Sequence, residues 1–449
     1  FISMSPYMYV YEVAPAAERM SLLMHHELVH VMAMDMSTKR DNFFRKIFFS
    51  KIQHTADNPV TFLYAYLTSP RKYAPRWYHE GIAVSMETWM GGGIGRAMGA
   101  YDEMVFRAMV RDNSKIYKMV GLEAEGTAID FQVGANSYLY GTRFFGYLAH
   151  QYGPNKLIDW VKRDKKSKAY FSAQFEKVYK KNLEEEWDNW IDFENNFQEA
   201  NLNRIRQNPI TEFSPLTSQA MGSVSRSYLD KNKEKLFVGI KYPGQLPHIA
   251  EIDLKTGKKR RICNIKGAGT YFTTSLVYLP ESEQLIYTTD NFYRRDLNIV
   301  DIHTKKSRLL IKDIRAGELA LNKTDNSIWG VRHENGISTL IKMKPPYKEW
   351  TAVQAFPFGT DLYDLDISPD GKLITASITR IDGNQKLIYF YIDILENGIF
   401  SENLIYDFDY SSPANFVFDE SGRYLYGTSY YSGVSNVYRY DFEENDIVI

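Results

Sequence analysis

The second half of the sequence repeats a strand pattern about every 47 residues, and this repeat constrains the fold more than any other feature. Four units carry an aspartate within a β-type run, at Asp253, Asp301, Asp393 and Asp441, with spacings of 48, 92 and 48 residues. The middle spacing is close to two periods, and the unit between, around residues 342–344, keeps the strand pattern without the aspartate. A repeat of this length with about four short strands predicts the blades of a β-propeller.

Each unit also begins with a turn followed by an alternating strand. These starts lie at residues 230–239, 280–288, 322–331, 368–373 and 419–424. The Ser-Pro-Asp-Gly-Lys turn of the fourth start, with its downstream aspartate, resembles TolB-like and WD-type blades, and its residues are turn formers first. About five units fill residues 218–449. Propellers usually close with ~4–8 blades, so five units can form the whole ring, but we favour a sixth or seventh blade beyond the last residue.

The first part of the chain follows a different period. Helical patterns dominate up to residue 207, a Pro-, Ser- and Thr-rich linker spans residues 208–217, and alternating patterns begin at residue 218. We therefore predict an α+β multi-domain chain, with a mainly helical domain at 1–207 and an all-β propeller at 218–449.

A His-Glu-x-x-His motif at residues 26–30 lies within an uninterrupted helical pattern. Residues four apart share one face of a helix, so His26 and His30 can present two imidazoles to one metal ion. Glu27 lies beside them and can act as a base toward water. His25 is about 100° away from His26 on a helix, so we expect it at the surface or behind the ligands. The motif is typical of zinc hydrolases.

A second helical start, residues 75–83 (PRWYHEGIA), begins forty-five residues after His30. A catalytic zinc needs three protein ligands and one open position, and two histidines with one glutamate form a standard set. Glu80 can supply the third ligand. The neighbouring His79 is the alternative that the residues alone leave open.

Together, His-Glu-x-x-His and the downstream Trp-x-x-Glu-Gly-x-Ala resemble the gluzincin metallopeptidases, which include thermolysin-like and aminopeptidase-N-like enzymes. The resemblance covers roughly residues 1–205. It implies a zincin-type fold with one Zn²⁺ per chain, held by His26, His30 and Glu80. It also implies that Glu27 is the general base in peptide hydrolysis.

The same resemblance implies roles for residues outside the ligand set. Glu87, two helical turns after Glu80, matches an acidic residue of these enzymes that orients a metal ligand without binding the metal itself. Residues 138–141 (Tyr-Leu-Tyr-Gly) resemble the Tyr-x-x-Gly segment of aminopeptidase-N-like relatives. This implies that Tyr138, with Tyr140 as the fallback, donates to the oxyanion.

The beginning of the chain bears on specificity. Residues 1–10 are apolar and aromatic, and Pro6 makes them an edge strand. By resemblance this strand lines the cleft, although an ordinary edge strand explains it equally well, and we expect the rest of an N-terminal sheet upstream. Aminopeptidases of this kind hold the substrate amine with carboxylates before the metal helix, but the first acidic residue here is Glu12. We therefore favour an endopeptidase.

Three further segments give expectations about packing. The five methionines between residues 16 and 36 are expected to fill the core rather than bind copper. Residues 37–74 alternate basic side chains with phenylalanines, which predicts a helix packed on the catalytic helices with its charges in solvent; a membrane-surface helix is the alternative. The glycine-rich residues 91–96 are expected to form a flexible connection at the cleft rim.

The composition of the chain limits the kinds of partner that we expect it to bind. A net charge of −1 gives no electrostatic reason to bind nucleic acid, and no run approaches the ~18–20 apolar residues that span a bilayer. The single cysteine, Cys263, excludes an internal disulfide. We expect a peptide or protein substrate, with the propeller docking that substrate or a protein partner. The alternative is a propeller-based scaffold of the cell envelope with a weakly active or inactive zinc domain. Resemblance to bacterial peptidase-plus-propeller proteins implies an extracytoplasmic location, periplasmic or at the cell surface.

Overall fold

A computed structural model gives the structure of the protein. It describes residues 18–93, 95–123, 135–218, 221–242, 244–266, 274–291 and 294–449. The chain divides into two compact units, whose main parts are Met20–Thr211 and Glu212–Ile449. The first is helical and the second is built of β-sheets, so the α+β multi-domain organisation is confirmed. None of the helices in the described ranges combines the length and the apolar character that crossing a bilayer requires.

Ten α-helices make up the described part of the first unit. They are α1 (Glu18–Asp35), α2 (Lys39–Ile47), α3 (Val60–Thr68), α4 (Arg76–Met90), α5 (Ala100–Arg111), α6 (Met119–Glu123), α7 (Ala135–Tyr152), α8 (Pro154–Val161), α9 (Phe171–Tyr179) and α10 (Leu183–Ile205). A short 3₁₀ helix, Arg96–Met98, lies between α4 and α5. The helical patterns of the sequence between residues 101 and 200 correspond to α5 and α7–α10.

Two glycines let α4 and α7 pack in backbone contact. A Cβ atom on Gly81 would lie 2.8 Å from the carbonyl carbon of Gly141, and a Cβ atom on Gly141 would lie 2.2 Å from the carbonyl oxygen of Trp77. Both distances are well below van der Waals contact, so only glycine fits at either position. Trp77, Phe144 and Phe145 are fully buried around this crossing. The residues that neighbour the two glycines are therefore held at a fixed separation.

Helix α1 turns its motif histidines inward and several apolar residues outward. Val31 and Met32 are 61% and 65% exposed, and Met24 and Leu28 are exposed as well. The expectation that the methionines of this helix fill the core is therefore wrong for Met24 and Met32. The physical reason is that a helix can bury only one face, and in α1 that face carries the motif histidines together with Ala33.

An acidic residue of α2, rather than its phenylalanines, attaches this helix to the rest of the helical unit. The buried carboxylate of Asp41 accepts two hydrogen bonds from Arg163, at 2.8 and 2.9 Å. Asp41 also forms a reciprocal capping box with Thr38 at the start of the helix. We expected this segment to pack on the catalytic helices through its phenylalanines. That expectation is wrong for Phe43 and Phe49, and the Phe49 side chain is 96% exposed. A buried, fully hydrogen-bonded ion pair provides the attachment instead.

Five antiparallel sheets make up the described part of the second unit. Blade 1 comprises β1 (Ser223–Val224), β2 (Tyr228–Asp230), β3 (Lys235–Lys241), β4 (His248–Asp253) and β5 (Lys259–Asn264). Blade 2 comprises β6 (Leu276–Leu279), β7 (Gln284–Asn291), β8 (Arg294–Asp301) and β9 (Ser307–Ile311). Blade 3 comprises β10 (Ala316–Leu321), β11 (Ile328–Glu334), β12 (Ile337–Met343) and β13 (Thr351–Ala355). Blade 4 comprises β14 (Asp361–Ile367), β15 (Leu373–Thr379), β16 (Gln385–Tyr391) and β17 (Asn403–Asp407), with a short helix, α11 (Ile392–Glu396), after β16. Blade 5 comprises β18 (Ala414–Phe418), β19 (Tyr424–Ser429), β20 (Asn436–Asp441) and β21 (Asp446–Val448).

Buried clusters stack these sheets face to face in sequence order. Phe237 and Ile249 of blade 1 pack with Tyr278 and Leu285 of blade 2. Three further clusters join blade 2 to blade 3, blade 3 to blade 4 and blade 4 to blade 5. Four-stranded sheets stacked in this way form a β-propeller. The propeller predicted from the repeat is confirmed, with five blades in the described residues.

The repeated aspartates have a structural role in three blades. Asp253, Asp301 and Asp441 each end the next-to-last strand of a blade, where the carboxylate accepts backbone N–H groups of the turn that follows. Asp393 differs, because it lies in the first turn of α11, beyond the end of β16. The repeat seen in the sequence is therefore a turn signal in three units and a helix start in the fourth.

Candidate metal centre

Helices α1 and α4 bring three ligating atoms to one point. Nε2 of His26 and Nε2 of His30 lie 3.0 Å apart, and each lies 3.2 Å from Oε2 of Glu80. His26 and Glu80 are buried and His30 is partly buried. The structure therefore brings together the three residues that the sequence suggested as ligands, and they form a group that can hold a metal ion.

The spacing of these atoms suits a bound cation. Zinc with nitrogen and oxygen ligands at ~2.0–2.1 Å in tetrahedral geometry holds those ligands about 3.3 Å apart. Nδ1 of His26 lies 2.7 Å from Oε2 of Glu87, so the Nδ1–H donates to that carboxylate and the lone pair of Nε2 faces the other ligand atoms. Three electron-rich atoms this close repel one another unless a cation or a proton lies between them. The residues therefore fit a metal ion.

The charges around His26 favour a positive charge at this point. Burial by itself would lower the pKa of His26, but hydrogen bonds with Glu80 and Glu87 outweigh it and raise the pKa to about 9. Burial of Glu80 acts to raise the pKa of its carboxyl group, yet His26 and His30 lower it well below its usual value. Without a metal, a proton on His26 supplies the positive charge.

Tyr138 lies beside the ligands, near the start of α7. Its ring stacks on that of His26, with centroids 5.9 Å apart and an interplanar angle of 18°. The guanidinium carbons of Arg76 and Arg96 lie 5.7 and 5.5 Å from the centroid of the Tyr138 ring. Burial and the nearby Glu80 carboxylate raise the pKa of Tyr138. The hydroxyl therefore stays protonated at neutral pH and can donate a hydrogen bond.

The two alternatives that the sequence left open lie outside this group. The ring of Tyr140 is buried in the core against Trp190, and its hydroxyl accepts a hydrogen bond from the backbone N–H of Tyr117 at 3.2 Å. His79 is buried, and its ring centroid lies 6.4 Å from that of His30. Burial, and then the nearby His30, lower the pKa of His79 to about 4. The structure therefore places Tyr140 in the core and His79 apart from the three ligand atoms.

The remaining motif residues lie on α1. Glu27 directly follows His26 and is partly buried. On a helix its side chain is rotated by about 100° from that of His26, so the two side chains occupy neighbouring sectors. His25 is also partly buried, and its Nδ1 has no hydrogen-bond partner among the described residues.

Two arginines lie near the candidate ligands, and neither was predicted from the sequence. Nε of Arg76 lies 3.4 Å from Oε1 of Glu80, the oxygen that does not face the histidines. Arg96 donates to both oxygens of the buried Asp102 at 3.1–3.2 Å. A Cβ atom on Gly95 would lie 2.6 Å from a threonine hydroxyl of α4, so the segment that carries Arg96 packs closely rather than forming a loose connection. The four-residue spacing of Arg76 and Glu80 on a helix was the signal that could have identified Arg76.

No protein-family model matches this chain, and no curated protein matches it. Similar solved structures include TolB from Acinetobacter baumannii, with 14% identity over 48% of this chain and 52% of that chain and a TM-score of 0.39. A protein assigned as TolB from Agrobacterium tumefaciens has 12% identity over 51% of this chain and 80% of that chain, with a TM-score of 0.41. A nidogen/laminin complex has 9% identity over 50% of this chain and 77% of that chain, with a TM-score of 0.40. The match thus spans about half of the first TolB chain, and likenesses of this strength do not bear on function.

Proposed function

We propose that the protein is a zinc-dependent peptidase of the zincin type, with His26, His30 and Glu80 as the ligands of one Zn²⁺. The convergence of these three ligand atoms within 3.2 Å of one another carries the proposal. Imidazole and carboxylate ligands suit zinc. Three protein ligands also leave a fourth position open, as in catalytic rather than structural zinc sites.

Zinc, when bound, lowers the pKa of a coordinated water toward ~7 and polarises the carbonyl of the substrate. Glu27 is not one of the three ligands, so its carboxylate is available to accept a proton from the attacking water and to pass it to the leaving amine. Glu87 accepts the Nδ1–H of His26 and thereby holds that imidazole in the tautomer whose Nε2 can act as a ligand.

Tyr138 is the proposed donor to the oxyanion. Its hydroxyl stays protonated at neutral pH because burial and Glu80 raise its pKa. Its ring stacks on His26 and has the guanidinium groups of Arg76 and Arg96 within 6 Å of its centre. A donor held in place in this way stabilises negative charge that develops on the substrate, and the loss of one such donor typically costs ~10²–10³ in rate.

The substrate class is a peptide or protein, and the propeller is proposed to dock the substrate or a partner. The preference for cleavage inside the substrate, rather than from its amino terminus, rests on residues 1–11, which contain no acidic residue. That segment lies outside the described residues, so internal cleavage stays a prediction. The extracytoplasmic location also stays a prediction.

The test compares metal content and hydrolysis in His30→Ala and His25→Ala. Both variants remove a histidine from α1, but only His30 belongs to the ligand group. We expect about one equivalent of zinc and peptide cleavage in the parent and in His25→Ala, and loss of both in His30→Ala. Equal zinc content in the two variants would contradict the ligand assignment.

The same measurements distinguish the alternative function. A parent protein that is fully loaded with zinc, and yet cleaves no member of a diverse peptide mixture, would favour a scaffold protein that uses the propeller for binding. Cleavage that depends on zinc would exclude an inactive zinc domain.

A further inference from the structure

We propose that Arg76 binds a carboxylate group of the substrate, directly beside the bond that is cleaved. This inference rests on the proposed peptidase function and narrows its substrate class. A peptide can offer the carboxylate from two sources, its own C-terminus or the side chain of an aspartate or glutamate next to the cleaved bond. Both sources present the same planar group, which a guanidinium recognises through charge-assisted hydrogen bonds.

Arg76 lies at the edge of the candidate metal centre. It is the first residue of α4, and its side chain is 55% exposed, whereas that of Glu80, one turn further on, is 10% exposed. Nε of Arg76 lies 3.4 Å from Oε1 of Glu80, and the other oxygen of that carboxylate faces His26 and His30. A single carboxylate thus separates this guanidinium from the point where the three ligand atoms converge.

The two guanidinium groups beside Tyr138 differ in how they are neutralised. Arg96 donates to both carboxylate oxygens of the buried Asp102. Arg76 makes one contact with Glu80, through Nε. Within the described part of the chain, the Nη groups of Arg76 donate no hydrogen bond to a carboxylate. They can therefore receive the carboxylate of a substrate.

A metal ion on Glu80 would strengthen the attraction between Arg76 and a substrate carboxylate. A cation held by Oε2 shares the negative charge of Glu80, so that carboxylate offsets less of the charge on Arg76. A substrate carboxylate would supply the missing negative charge. It would also accept the two parallel hydrogen bonds that the fork of an arginine is shaped to donate.

The position of Arg76 limits which carboxylate it can reach. Its guanidinium carbon lies 5.7 Å from the centre of the Tyr138 ring, and Tyr138 is the proposed donor to the oxyanion. A substrate carbonyl between the ligand atoms and Tyr138 is therefore close to Arg76. Because consecutive residues are ~3.8 Å apart along a chain, the carboxylate belongs to a residue adjacent to the cleaved bond.

Calorimetric titration of zinc-loaded Glu27→Gln measures this recognition without turnover. The probes are benzoyl-glycine, the α-amide of benzoyl-aspartate and the α-amide of benzoyl-asparagine. They carry a C-terminal carboxylate, a side-chain carboxylate and no carboxylate, respectively. We expect at least one of the two acids to bind ~10-fold or more tightly than the neutral amide, because it gains charge-assisted hydrogen bonds. The tighter acid identifies the source, and equal binding of all three probes, or no binding of either acid, would overturn the inference.

Variants of Arg76 distinguish its contribution from direct binding of the acids to zinc. In the same background, Arg76→Gln should keep its zinc content and lose the preference for acids, and Arg76→Lys should retain part of that preference. Arg111→Gln is the matched control, because Arg111 is a similarly exposed arginine of the helical unit that pairs with Asp112. We expect this control to change affinity by less than about 2-fold.

Two results with Arg76→Gln would overturn the inference. A preference for acids that persists would assign their binding to the metal, and a loss of zinc would show that Arg76 only orients Glu80. Peptide cleavage by the parent is measured separately. Cleavage without a preference for acids in the titration would refute the role of Arg76 alone, whereas a zinc-loaded parent that cleaves no peptide would refute the proposed function itself.

Discussion

Gly141→Ala should destabilise the helical unit because α4 and α7 touch at this glycine. The new Cβ atom would lie 2.2 Å from the carbonyl oxygen of Trp77 and 3.0 Å from the backbone of Gly81. Ordinary contact begins at 3.4 Å, so the two helices must separate by roughly 1 Å. Inserting one carbon into a tight core usually costs ~1–3 kcal/mol. We expect the upper end of that range, because the clash is with backbone and Phe144 and Phe145 close the surroundings.

Thermal unfolding followed by tryptophan fluorescence measures this effect. Five of the seven tryptophans lie in the helical unit, and a unit of this size loses ~2–4 °C in Tm per kcal/mol. We therefore expect Gly141→Ala to lower the helical transition by ~6–12 °C. The same separation would move Glu80 relative to Tyr138 and weaken metal binding.

Gly146→Ala is the matched control on the same helix. No atom lies within 4 Å of a Cβ at this exposed position, so alanine gains helix propensity of up to about 1 kcal/mol and should raise Tm slightly. Opposite shifts in Gly141→Ala and Gly146→Ala support the close crossing of the two helices. An unchanged Tm in Gly141→Ala, or shifts of the same sign in both variants, would refute this reasoning.

Three further predictions concern single side chains. Glu87→Gln should reduce zinc affinity by ~10–100-fold in chelator competition, because His26 loses the carboxylate that orients it; unchanged affinity would contradict that role. Tyr138→Phe should lower kcat by ~10²–10³ with the zinc content intact, whereas loss of zinc would indicate a structural role. Burial alone would raise the pKa of Asp41, but the ion pair with Arg163 lowers it below its usual value. The pair therefore stabilises the helical unit at pH values above ~3.9, the ordinary aspartate pKa, and this contribution is lost as the pH falls below that value. Asp41→Asn should therefore cost ~3–5 kcal/mol at pH 7 in denaturant unfolding and flatten the acid dependence of stability; an unchanged acid dependence would contradict this.

The spacing of residues predicted the parts of this protein that depend on local geometry. His26 and His30 fall on one face because four residues make about one helical turn, and the repeat of about 47 residues predicted the blades. The position of Glu80 relative to the histidines did not follow from periodicity. It came from a resemblance to zinc peptidases, and the structure brings Glu80 within 3.2 Å of both histidines.

The parts that the sequence did not predict depend on contacts between distant segments. A helical pattern contains no information about which partner covers each face, so the exposed side of α1 at Val31 and Met32 was not foreseen. The Asp41–Arg163 pair joins residues more than a hundred positions apart. Arg96 reaches Tyr138 only because α4, the following turn and α7 pack together. Long-range packing of this kind leaves no periodic trace in the sequence.

Cleavage of a diverse peptide mixture by the parent and by Glu27→Gln, at matched zinc occupancy and read by mass spectrometry, tests the central claim most directly. Gln keeps the size and removes the base, so we expect products from the parent and a rate lower by ~10²–10⁴ in the variant. The ends of the products also show whether cleavage is internal or removes residues from the amino terminus. Cleavage by Glu27→Gln at the rate of the parent would contradict a glutamate-assisted zinc peptidase.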